Sequence, residues 1–203
     1  MTILSVNKTM EFVELDGRSA LIFLGTAVPV FCFQEAFMRK KTRFLAHGAI
    51  IAALYVALTH LQNLLLPGSA SMMIQFRVSE ALCVLALFTP AAIPGLTIGC
   101  LLFNISFAGA LPMDFLVGSL ATLLATAGMY ALRNLKLKGY PLPAMLMPAV
   151  SNALLVGWEL SVYIGGGFWL NALYVAIGEI VVLLTLGTAL YYTLRTRGLH
   201  KMF

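Results

Sequence analysis

The sequence predicts an all-α integral membrane protein, a bundle of six transmembrane helices, and three observations predict it. Of the 203 residues, 61% are hydrophobic and only 10% are charged, against about 25% charged in soluble domains. Mean hydropathy is +0.93, more apolar surface than a water-soluble globule of this size can hide. The second observation is that turn signals cut the chain after residue 43 into six apolar stretches. The third is that basic residues gather at the ends of some stretches and not others.

The first span is 44–66, stopped by Pro67-Gly68. Spans two and three, 76–90 and 91–107, are short and share a corner at Thr89–Pro94. Span four is 114–133, opened after Ala110-Leu111-Pro112 and closed before Gly139-Tyr140-Pro141. Span five, 143–165, and span six, 168–195, meet at Gly165-Gly166-Gly167. Proline removes an N–H and glycine permits positive φ, so each of these places is a turn. Most spans approach the roughly 20 residues that cross the hydrocarbon layer. Lipid-exposed segments must be helical, because a lone strand would leave its backbone groups unpaired.

A net charge of +5 raises the question of a nucleic-acid partner, and the distribution argues against one. From residue 38 onward the basic residues fall into three groups, Arg39–Arg43, Arg133–Lys138 and Arg195–Lys201, with Arg77 alone outside them. The positive-inside rule places the first group in the cytoplasm, and the second and third close the same topology four and six crossings later. A multi-pass cell-membrane protein is expected, with the N-terminus from Met38 and the C-terminus both cytoplasmic.

Residues 1–37 differ from the rest. They hold four of the eight acidic residues, and their apolar run, about Ala20 to Phe33, contains Pro29 and is short for a crossing. Two readings stand: an N-terminal extension or mis-assigned start ahead of Met38, or an interfacial or additional membrane helix. A secretory signal is not indicated, since no basic n-region and no A-x-A site are present. The expected organisation is 1–37 as this extension and 38–203 as a six-helix substrate-binding domain.

The remaining acids, Glu80, Asp114, Glu159 and Glu179, all fall in the outer half of the predicted bundle or near its midplane. Gln75, Arg77, Asn104 and Asn152 join them. Ionisable groups within the membrane cost several kcal/mol and mark a site by default. Arg77 and Glu80 are three apart and share a helix face. Asn152, Glu159 and Tyr163 are spaced seven and eleven apart, a narrow polar stripe on an otherwise apolar span. Structural roles stand beside these. Arg77 and Glu80 as a mutually neutralising pair, Asp114 as the N-cap of span four, Asn104 as a tie between helices, and Trp158, Tyr163 and Trp169 as interfacial aromatics are each consistent with the pattern. One arginine against four acids suits a ligand that is positive or rich in N–H donors.

Small residues at Ala49 and Ala53, with Gly48, Ala52 and Ala57, form four-residue repeats that let helices approach closely in lipid; Gly95 and Gly99 on span three repeat the pattern. No lysine directly follows a glycine, so a P-loop for ATP is lacking; H-E-x-x-H and G-x-S-x-G are lacking too. The three cysteines and three histidines are scattered, which supports neither a disulfide framework nor a metal site. Neither catalysis nor a cofactor is indicated.

Met73-Ile-Gln-Phe-Arg-Val-Ser-Glu-Ala-Leu82, Pro94-Gly-Leu-Thr-Ile-Gly-Cys100 with Asn104, Asp114–Leu123, Ser151–Glu159, Phe168-Trp169 and Gly178-Glu179 together resemble the queuosine-precursor transporter family QueT. The resemblance covers about residues 40 to 195, and its most specific part is Q-F-R-x-S-E. It implies an energy-coupling factor (ECF) S-component-like bundle that captures a 7-deazaguanine, aminomethyl or cyano, from outside. It further implies docking on a transmembrane coupling subunit and two cytoplasmic ATPases, with Ala49 and Ala53 resembling the docking face. A deazaguanine presents an N–H and an amine side by side to one carboxylate, and an aminomethyl arm takes a second. Glu159 and Glu179 fit these roles in either order, with Glu80 as alternate and Trp158 or Trp169 as the stacking ring. The competing readings are a proton-coupled secondary transporter of a small nitrogenous solute and an intramembrane enzyme.

Overall fold

A computed structural model of the chain describes residues 11–15, 18–22, 28–67, 76–107 and 110–198. The chain divides into two compact units, residues 1–44 and 45–203. The first contains an antiparallel hairpin of β1 (Glu11–Leu15) and β2 (Arg18–Ile22), paired from Glu11 with Ile22 to Leu15 with Arg18. The sequence gave no expectation of strands there. α1 runs Val28–Leu65, so helix begins well before residue 44, within the part expected to be an extension.

The second unit is a helical bundle. After the α1 residues from Leu45 come a 3₁₀ helix (Val78–Leu87), α2 (Ala92–Ser106) and α3 (Asp114–Ala131). A short α4 (Leu142–Met145) leads into α5 (Met147–Tyr163). The last span is α6 (Phe168–Val182), a π-helical turn (Leu183–Gly187) and α7 (Thr188–Thr196). The breakers act as expected. Pro148 sits in the first turn of α5, where no intrahelical N–H is lost. Gly165, Gly166 and Gly167 all have φ near +84°, a left-handed run that residues with a Cβ rarely adopt.

Among the described residues, four helical stretches are long and apolar enough to cross a membrane: Lys40–Leu65, Asp114–Ala131, Leu142–Tyr163 and Phe168–Thr196. The other two expected crossings are shorter. The 3₁₀ helix has ten residues and reaches about 20 Å at about 2.0 Å per residue. α2 has fifteen and reaches about 22 Å at about 1.5 Å each. Seven of the ten residues of the 3₁₀ helix are buried, so its neighbours shield it and it need not match the bilayer.

The polarity is that of a protein dissolved in lipid. Leu54, Leu61, Leu102, Leu154, Leu173 and Val181 are exposed, whereas Arg77, Glu80, Asp114, Glu159 and Glu179 are buried. α1 meets α2 through small residues. A Cβ on Gly95 would lie 2.7 Å from the Gly48 carbonyl, and one on Gly99 3.0 Å from that of Ala52. α5 meets α6 as closely, a Cβ on Gly157 falling 2.7 Å from Ala172 Cα. Without a hydrophobic force between helices in lipid, such backbone contact is what holds them.

Candidate functional site

The site begins with how the 3₁₀ helix is held. Its N-terminal residue Arg77 carries no side-chain cap; Gln62 of α1 supplies the anchor instead. The Gln62 amide donates to the Phe76 carbonyl and accepts from the Val78 N–H at 2.8 Å. In a 3₁₀ helix residues three apart eclipse, so Arg77, Glu80, Cys83 and Ala86 line one edge. All four are buried.

Glu80 is fully enclosed. Tyr55 of α1 donates its hydroxyl to one carboxylate oxygen at 2.9 Å, and the Cys83 thiol donates to the other at 3.1 Å. Neither partner was singled out in the sequence. The signal was present: Tyr55, Thr59 and Gln62 form a buried polar stripe on α1 at helical spacing.

Across the bundle, α5 and α6 contribute Asn152, Glu159 and Glu179. The Asn152 amide donates to one oxygen of Glu179 at 2.8 Å; the other oxygen is buried without a hydrogen-bond partner. Glu159 is fully buried, and neither of its oxygens receives a hydrogen bond from an N–H donor; its hydrogen-bonding neighbour is the Asp114 carboxyl. Asp114 and Arg77 approach Glu159 closely enough to interact electrostatically, as Glu80 and Arg77 do with Glu179. Arg77 likewise feels Tyr55, Glu80 and Asp114. One cation thus faces four carboxyl groups in one buried network.

Asp114 is the first residue of α3, one position beyond the N-cap Met113. Its carboxylate accepts the Leu111 N–H at 2.7 Å, closing the turn before the helix. Asn104 of α2 reaches the same helix end, its amide donating to the Asp114 carbonyl at 2.8 Å, while its own oxygen is buried and unpartnered. Asn171 behaves alike, donating to the Gly165 carbonyl at 2.7 Å with its oxygen left over. Buried threonines are satisfied locally: Thr122 bonds the Gly118 carbonyl and Thr126 the Thr122 carbonyl. The unmet hydrogen-bonding capacity is therefore concentrated in acceptors.

Of the expected site residues, Arg77, Glu80, Asn104, Asp114, Asn152, Glu159 and Glu179 are thus brought together. Gln75 lies outside the described residues. Trp158, Tyr163 and Trp169 are exposed, at 48%, 42% and 80%, and stand apart from the network. Trp158 immediately precedes Glu159 on α5, about 100° around the helix from it; Tyr163 ends α5, and Trp169 is the second residue of α6. Ala49 and Ala53 are exposed, on a different side of α1 from the Gly48 and Ala52 contacts with α2.

Comparison with known proteins gives this arrangement a family. The protein described as queuosine precursor transporter QueT of Lactococcus lactis subsp. cremoris (strain MG1363) is 41% identical over 88 residues, covering 42% of this chain and 48% of the relative. The match thus spans about half of that relative's length. No solved structure matches. A family model described as QueT transporter matches residues 45–196, the helical bundle from its first residue through α7. The chain belongs to the QueT transporter family.

Proposed function

We propose that this protein is the membrane-embedded substrate-binding component of an ATP-driven importer of the energy-coupling factor type, taking up a queuosine precursor of the 7-deazaguanine class. The observation that carries the reading is the buried carboxylate network with unfilled acceptor oxygens on Glu159 and Glu179. Burying acceptors without donors costs about 1–3 kcal/mol each, a cost that a donor-rich ligand removes. A deazaguanine supplies N–H groups in a plane, and its carbonyl finds donors among Arg77, Asn104 and Asn152. The name borne by the Lactococcus relative points to the same ligand class.

Three further features support the rest of the reading. The basic groups at Arg39–Arg43, Arg133–Lys138 and Arg195–Lys201 support a topology with both ends of the domain from Met38 in the cytoplasm and the carboxylate network opening outward. The sequence carries no P-loop, which is compatible with ATP hydrolysis on a separate pair of ATPases. The exposed Ala49–Ala53 face suits close docking of a coupling subunit helix.

The test is thermal unfolding of the purified protein with a panel of small molecules. Aminomethyl- and cyano-deazaguanine should raise the melting temperature by mass action, and riboflavin, thiamine and biotin should not. A folded preparation that no deazaguanine stabilises removes the substrate assignment.

A further inference from the structure

The three buried glutamates differ in how many oxygens remain to accept a hydrogen bond. Glu80 has none that is not already accepting one, since Tyr55 and Cys83 each donate to an oxygen. Glu179 has one, because Asn152 occupies the other. Glu159 has two. A carboxylate with both oxygens unoccupied accepts two parallel N–H donors in a fork, while one with a single oxygen left offers a point contact.

Building on the substrate class proposed above, the geometry points to a division of labour. Glu159 takes the adjacent ring N–H and exocyclic amine of the base, Glu179 takes the single ammonium of the aminomethyl arm, and Glu80 touches no ligand. Asn152 is then a positioning residue: by holding one oxygen of Glu179 it aims the other and leaves it a single contact. Glu80, which the sequence left as an alternate ligand, is instead the brace that ties α1 to the 3₁₀ helix.

The aminomethyl and cyano ligands separate these roles, because they share the base edge and differ in the arm. Calorimetric titration of the purified full-length protein with each ligand is the experiment. Glu159→Gln should weaken both by about tenfold or more, the scale of a charged hydrogen bond. Glu179→Gln should weaken the aminomethyl ligand on that scale and leave the cyano ligand within about threefold. If an amide variant fails to fold, Glu159→Asp and Glu179→Asp should give the same pattern. Loss of both ligands on changing Glu179, or selective loss on changing Glu159, overturns the assignment and leaves the substrate class standing. Wild-type protein that binds neither ligand overturns both.

Discussion

Tyr55 shows how little room this interior leaves for compromise. Its hydroxyl donates to Glu80 at 2.9 Å and also meets the Cys100 thiol, and the Tyr55 and Glu80 side chains are fully buried. Tyr55→Phe keeps the ring's packing and orphans a carboxylate oxygen in a dry site. Unfolding in detergent should show a loss of about 1–3 kcal/mol, while ligand affinity changes little because Glu80 makes no ligand contact. A variant as stable as the wild type would place that oxygen in contact with water. At this scale the acids and asparagines were legible, because an ionisable residue in an apolar span has few reasons to be there. Their partners were not. Tyrosine and cysteine are ordinary in a membrane helix, and only the fold reveals that both converge on one carboxylate.

Among the elements, the α5–α6 contact decides whether the network closes. Glu159 and Asn152 lie on α5 and Glu179 on α6, and their spacing follows from Gly157 seating against Ala172. Gly157→Val should push the two helices apart, lowering both the melting temperature and the affinity for a deazaguanine; an unchanged variant in a binding titration would show that the crossing adapts elsewhere. The turns that bound these helices were legible because proline and glycine act locally. The helix types were not. An apolar run from Val78 to Leu87 reads the same whether it winds with 3.0 or 3.6 residues per turn, and the Gln62 clamp that holds its start comes from another element. The exposure of Trp158, Tyr163 and Trp169 was undecided for a related reason: interfacial and stacking aromatics have the same sequence pattern.

For the molecule as a whole, the polarity is inverted relative to a soluble protein, and this was the most legible property of all. Composition alone required it. The small residues of α1 then divide by side: Gly48 and Ala52 face α2, and Ala49 and Ala53 are exposed. Replacing Ala49 and Ala53 with tryptophan should leave binding by the purified protein intact and abolish uptake in cells that depend on it; undiminished uptake would place the docking face elsewhere. The stretched winding of the 3₁₀ helix sets the length of one wall of the bundle. Rewound with 3.6 residues per turn, its ten residues would contract by about 5 Å. Glu80 and Cys83, stacked one above the other now, would rotate about 60° apart, offsetting the thiol from the carboxylate. One wall of the bundle is therefore longer per residue than the α-helices beside it, and it runs through the residue that links α1 to the carboxylate network.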